Sequence, residues 1–296
     1  MSTTNPFVDV RDERWYVPPP GWWSLTLGAF DHVVAHLLRL DASAGIRLLD
    51  RAGRRAHAMN LVPPDSGLVR VLFPDMSPDA ATSVARAAAG LRFKNRAAIA
   101  LLQRRGVEAL AQLVDRPDPR LSALASSPQG GVLLAFHVGA QFGVGATMCR
   151  LGRQTLTVRN MPVDDAHDRA RALKEAVDAA RAGALIIASV DGPGGASTLP
   201  LPCLGRHIVL RRGPFVLARL AAVPLYPVVA RWTPSGRIVA EAGAPLGPGG
   251  APTASHEHLQ ALAAAAWLDG HIRDHPDDLW PYTLANLAGA PAASVN

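Results

Sequence analysis

Two rhythms of apolar and polar positions divide the chain. In the first part, apolar residues recur at helical spacing, with Phe30, Val33, Val34, Leu37 and Leu38 on one face of a segment running from Thr26 to Ala58. Phe73 to Asp79 carries a helix start, with Ser77 as cap and Pro78 at the first helical position. An Ala-rich helix, with breaks, is expected to about Val114, and residues 117–130 read as loop. The second rhythm begins at Gly131-Val132-Leu133-Leu134-Ala135-Phe136, a continuously apolar run of the kind buried on both faces of a sheet. Gln154 to Val158, Ala184 to Val190 and Leu225 to Ala230 are further strand candidates, and Arg237 to Ala242 reads as an edge strand. Helices are expected at Gly143 to Leu151, after the caps Asp164 and Asp165 as far as Gly183, and at Pro214 to Ala222. A last helix is expected to be capped by Ser255, with Leu259, Leu262, Ala263 and Ala266 as its apolar positions.

Strand alternating with helix predicts an α/β fold: a mostly parallel central sheet flanked by helices, with a helical N-terminal region. One domain over 1–296 is expected, with 1–125 mainly helical and 126–285 forming the α/β core. In such sheets ligands bind outside the carboxyl ends of the strands. Two polar residues fall at those ends, His137 and Asp191. Gly139, Gly143 and Gly145 follow the histidine and permit close approach of backbone or ligand. Asp191-Gly192-Pro193-Gly194-Gly195 is a tight turn, which needs no function to explain it. Read blandly, His137 is a satisfied core residue. Its place on a loop beside a rigid sheet raises the alternative that it carries chemistry. Arg206, Arg211 and Arg212 precede a helix, an arrangement that suits an anion, or else a solvated basic loop.

Composition narrows the classes. Hydrophobic residues at 49% and charged residues at 18% of 296 make a globular chain, not a disordered one. The net charge is +6, supplied by Arg except for Lys94 and Lys174. A guanidinium fork fits phosphate and carboxylate, so an anionic membrane surface or an acidic thioester carrier suits this balance as well as nucleic acid does. Cys149 and Cys203 make no disulfide framework and fit a reducing cytoplasm. The polar first residues lack a signal core. No run approaches the ~18 apolar residues of a membrane span. Trp15, Tyr16, Trp22 and Trp23 suit either a membrane interface or packing on the domain. His271 and His275 are four apart on a helix, but no third metal ligand is evident. That pair, like His256 and His258, reads as a solvated face. A nucleotide-binding glycine fingerprint is absent.

Several blocks together resemble the lysophospholipid acyltransferase superfamily, in particular its branch of late lipid A acyltransferases. Asn60-Leu61 and Phe73-Pro74-Asp75-Met76-Ser77 are similar to that branch's N-terminal helical region. Val132 to Gly139 is similar to its strand with the catalytic histidine. Asp191-Gly192-Pro193, then Leu201-Pro202-Cys203-Leu204-Gly205-Arg206, resembles its aspartate turn and the segment after it. Gly213 to Val228 and Ile272 to Trp280 resemble its helix-strand unit and C-terminal helix exit. The blocks run in the family's order over residues 50 to 285.

The resemblance implies transfer of an acyl group from a thioester, on acyl carrier protein or coenzyme A, to a hydroxyl or amine. His137 would be the general base, and no cofactor would be bound. In the family an acidic residue five positions after the histidine orients it. Here that position is Phe142, and Gln141 before it is neutral. Asp191, or a water held by Gln141, is expected to compensate. Arg206, Arg211 and Arg212 are then candidate contacts for a donor or acceptor phosphate, and Gly139 and Gly192 shape the pocket. Two alternatives stand beside transfer: an acyl- or lipid-binding member without turnover, and an acyl hydrolase. The expected setting is cytoplasmic, with peripheral contact at an anionic inner membrane face as an option and no nucleic-acid partner. Branch members usually carry an N-terminal span, so its lack favours a soluble acceptor.

Overall fold

The apolar runs at 131–136, 184–190 and 225–230 become inner strands of one sheet. In the computed structural model, residues 7–8, 41–59, 66–158, 166–191, 197–247, 254–280, 283 and 287 are described. The aromatic leader, the first part of the 26–58 segment, the caps Asp164 and Asp165, and Gly192 lie outside the described residues.

The elements in chain order are β1 (Phe7–Val8), α1 (Ala42–Ala58), α2 (Ser66–Leu72), α3 (Pro78–Ala111), α4 (Pro119–Ser126), β2 (Gly131–Gly139), α5 (Gly143–Arg150), β3 (Thr155–Val158), α6 (Ala166–Arg181) and β4 (Leu185–Ser189). They continue with β5 (Thr198–Cys203), β6 (Arg206–Arg211), α7 (Gly213–Ala221), β7 (Leu225–Trp232), β8 (Ile238–Ala242), α8 (Ala254–Asp274) and a 3-10 turn at Pro276–Asp278. The main sheet has the order β1-β3-β4-β2-β7-β8. β3, β4, β2 and β7 are mutually parallel, and β1 and β8 close the edges antiparallel. The mixed α/β architecture with a mostly parallel sheet, flanking helices and a helical N-terminal region is as the alternation predicts.

Strand alternation divides the core into two layers. Val132, Leu134, Phe136 and Val138 of β2 pack in one, with α6, α7 and α8. Leu133 and Ala135 pack in the other, with α1, α3 and α5. Each fully buried aliphatic side chain contributes about 1.5–3 kcal/mol, so these central strands hold the sheet. Among the described residues, no helix is long and apolar enough to cross a membrane.

Side-chain caps begin α1, α3 and α4. Ser77 caps α3, accepting from Ala80 N at 3.2 Å, with Pro78 in the first turn. The expected loop at 117–130 instead contains α4. Asp118 caps it through Arg120 N and Leu121 N, with Pro119 at its first position. The Asp-Pro pair is a start signal that a loop reading passes over. Arg206 and Arg211, read as either an anion site or a solvated basic loop, lie instead in the second strand of a two-stranded antiparallel ribbon, β5 with β6. Its turn places Leu204 and Gly205 at φ 51 and 69, as a tight hairpin connection requires. Pro200 and Pro202 hide the strand from a sequence reading. A ribbon of two edge strands tolerates them because a missing N–H costs nothing on the outer side.

α8 turns a different face inward from the one expected. It begins at Ala254, which places Ser255 inside its first turn, not at the cap. Leu259 is 56% exposed, whereas Ala261, Ala264, Ala265, Leu268 and Ile272 are buried. The reason is Glu257, buried at 1% exposure, which accepts from Arg212 Nε at 2.7 Å and from Arg219 Nε. Burial pushes this carboxyl up, but Arg219 and Arg212 together outweigh it and hold it below its ordinary value of 4.5. The triad fixes the rotation of α8 against α7, and the exposed Leu259 follows from it. His271, expected on a solvated face, is buried and stacks on Trp267 with ring centroids 6.0 Å apart; the same rotation carries it inward.

Glu257→Gln should destabilise the fold by about 1–3 kcal/mol at pH 7, since two guanidinium groups lose a buried charged partner. A depressed carboxyl contributes stability above its ordinary value and loses it as pH falls through the lowered one. Urea titrations of both proteins should therefore show the gap at neutral pH and its closure in strong acid.

Candidate functional site

β2 is buried along its length except at His137, which is half-buried. The strand is irregular there. Ala135 lies opposite Val228 and Gly139 opposite Ala230, so β2 carries more residues than β7 across this stretch. Such bulges re-aim side chains beside functional sites. His137 lies within β2, two residues before its end, not just beyond the strand as expected.

On the other side of β2, Val190 N donates to Ala135 O at 3.1 Å. The next residue, Asp191, is fully buried and sits beside His137. Its carboxylate accepts the backbone N–H of His137, with both oxygens at 3.0 Å. Oδ1 also lies 2.8 Å from His137 Nδ1. A carboxylate only accepts, so this contact places the ring hydrogen on Nδ1 and leaves Nε2 as the basic nitrogen. Thr283, itself buried, donates its hydroxyl to His137 O and lies 3.5 Å from Asp191 Oδ2. The edge of the Trp280 ring approaches the imidazole, with centroids 6.2 Å apart. The imidazole is thus fixed on one side by a buried acid, and its side chain keeps 17% exposure.

A second device holds the turn after the histidine. Gly139 has φ 57, and a Cβ there would meet Ala230 O at 2.1 Å. Asn95 of α3, 1% exposed, donates from Nδ2 to Gly139 O at 2.8 Å and accepts from Trp232 Nε1 at 3.0 Å. One buried amide therefore ties α3, the end of β2 and the end of β7 together. Asn95 was missed in the sequence. Its signal is a polar residue in helical phase with Leu91, Ala98 and Leu102, all buried. Thr283 and Trp280 carry no comparable signal, since their contacts depend on the chain returning after α8.

The remaining expected residues divide. Gln141 is half-buried and, among the described residues, makes no hydrogen bond to the imidazole; Asp191 is what meets Nδ1. Phe142, five positions after His137, is half-buried and precedes α5 without a side-chain cap. Arg211 is buried, and its N–H donates to Val190 O at 2.8 Å, which docks the ribbon against the Asp191 turn. Arg212 points to Glu257, so its guanidinium already has a carboxylate. Arg206 is exposed in the ribbon, with no hydrogen bond or ion pair to His137 or Asp191 among the described residues. Cys203 is buried, and burial with the neighbouring Asp269 pushes its thiol up to about 12, which makes it a poor nucleophile. No group of three potential metal-ligating side chains occurs among the described residues.

The chain matches no protein-family model and no curated protein.

Gly139→Ala should lose about 2 kcal/mol or more in urea unfolding, because both the positive φ and the contact with Ala230 O oppose a methyl group. Gly152→Ala, also at positive φ but facing open space, should lose less. Equal losses would show that the close approach at Gly139 costs nothing.

Proposed function

We propose that the protein is an acyltransferase, moving an acyl group from a thioester donor to a hydroxyl or amine acceptor with His137 as general base. The observation that carries this reading is the 2.8 Å contact of His137 Nδ1 with the fully buried Asp191, at the carboxyl ends of neighbouring parallel strands. The motif resemblance lends the reaction class. The fold of the lysophospholipid acyltransferases, finer than the α/β class above, belongs to the same proposal.

The chemistry follows from that contact. Nε2 removes the proton from the acceptor hydroxyl or amine as its oxygen or nitrogen bonds to the thioester carbonyl carbon. Asp191 holds the ring in the productive tautomer and stabilises the imidazolium that forms. Collapse of the tetrahedral intermediate breaks the carbon–sulfur bond, and imidazolium returns the proton to the departing thiolate. The acid that the resembled family supplies from the histidine's own segment comes here from Asp191, just beyond the adjacent strand β4, so an apolar Phe142 is compatible with the scheme. No metal or redox group enters the scheme. Acyl carrier protein and coenzyme A remain the two donor classes. The setting is cytoplasmic, with or without peripheral contact at an anionic membrane.

His137→Ala should abolish transfer from an acyl thioester to hydroxyl and amine acceptors. Asp191→Asn should slow it by about 10²–10⁴-fold, as loss of the orienting acid does in comparable dyads. Product analysis by mass spectrometry is the check. Free fatty acid as sole product would replace transfer by hydrolysis, and an untouched thioester with retained lipid binding would leave a binding protein.

A further inference from the structure

A cleft of about 520 Å³ opens between α1, α3 and the β7–β8 turn, at the same end of the sheet as His137. Trp232 lines it, and through Asn95 the same indole is bonded to the turn that follows the histidine. Arg47, Arg51, Arg54, Lys94 and Arg231 line its walls against only three carboxylates.

The fates of these cations differ. Arg54 Nε and Lys94 Nζ share Asp50, at 2.8 and 3.3 Å. Arg231 pairs with Glu241 at 3.0 Å. Arg47 donates to Ser235 O at 2.8 Å and Ser43 Oγ at 3.3 Å, with the Asp41 carboxylate near enough to interact with it electrostatically but outside the cleft lining. Arg51 is exposed, with no hydrogen bond or ion pair among the described residues. Residues 47 and 51 are four apart on α1, so the two guanidinium groups rise from one helix face one turn apart. Arg47 is already oriented by a backbone carbonyl, which reduces the ordering cost of engaging a ligand. Of the three carboxylates, Asp50 on α1 is engaged by Arg54 and Lys94, Asp278 is buried with Arg231 and His271 beside it, and Asp277 is exposed on the wall formed by the 3-10 turn. Two guanidinium groups one helical turn apart, facing a cleft, fit the oxygens of a phosphate group.

We infer that this cleft is an anion site that takes a phosphate group, with Arg51 and Arg47 as its principal contacts. Arg211 and Arg212, the arginines first suggested by sequence, are buried and acid-paired respectively. The assignment of the phosphate to a donor or acceptor of the transfer reaction rests on that functional reading; the binding itself does not. The phosphate of a soluble ester and that of a lipid headgroup present the same chemistry.

Calorimetric titration with inorganic pyrophosphate, and co-sedimentation with vesicles of phosphatidylglycerol and phosphatidylcholine against phosphatidylcholine alone, read the two sources. Arg51→Gln should weaken whichever interaction is seen by about tenfold, the worth of one charge-assisted contact, and Arg51→Lys by less. Arg104→Gln, exposed on α3 and outside the cleft, should leave it unchanged. Response to pyrophosphate places a soluble phosphoester in the cleft, and response to anionic vesicles alone places a lipid headgroup there. Equal weakening by Arg51→Gln and Arg104→Gln would mean diffuse surface charge, and binding of neither probe would leave no site; either result overturns the inference. Repeating the titration on His137→Ala separates the two proposals, since binding should persist there although transfer fails.

Discussion

A buried carboxylate cannot remain in an apolar layer without donors, and the satisfaction of Asp191 organises everything around it. Asp191 is fully buried at the end of β4, where the neighbouring strand presents the N–H and the imidazole of His137. The bulge in β2 serves this contact, because it lets backbone and ring of one residue address the same carboxylate. Thr283 closes the arrangement from the C-terminal segment. Strand register, bulge and chain return are thus three conditions on one ion-accepting group.

The turn beyond the histidine depends on a second buried polar residue. Asn95 satisfies Gly139 O and the Trp232 indole at once. Replacing such a group with an apolar one would strand two partners, each with a desolvation cost of about 1–3 kcal/mol. Because the positive φ of Gly139 brings its backbone against Ala230 O, the end of β2 is held from the helix side and the strand side together. In the proposed reaction this rigidity is what keeps Nε2 aimed while Asp191 governs Nδ1.

Arginine does different work in different places in this molecule. Arg212 and Arg219 clamp Glu257 and set the face of α8. Arg231 joins β7 to Glu241 on β8 and comes within 3.8 Å of Asp278. Arg47 and Arg51 line the cleft, Arg47 hydrogen-bonded to Ser235 O and Ser43 Oγ and Arg51 exposed. Net charge says only that cations are in excess. Which of them have acids within reach is a property of the packing, and it separates arginines that hold the fold from those available to a ligand.

The alternation of apolar runs with helical periods determined the α/β class, the inner strands and the position of β8 as an edge, because burial on both faces demands continuous hydrophobicity and the sheet has few other ways to use it. The same pattern placed His137 and Asp191 at strand ends. It left α4 and the β5–β6 ribbon unread, since Pro119, Pro200 and Pro202 look like breakers until a cap or an outer strand edge accommodates them. It also assigned α8 the wrong face, because no local pattern reveals that Glu257 will be buried by two arginines distant in sequence. The partnership of His137 with Asp191, residues 54 apart in the chain, and the capture of Gly139 by Asn95, 44 apart, were decided by tertiary structure alone: hydrogen bonds act over about 3 Å, and only the parallel register of β2 with β4 and the packing of α3 bring those atoms within that reach.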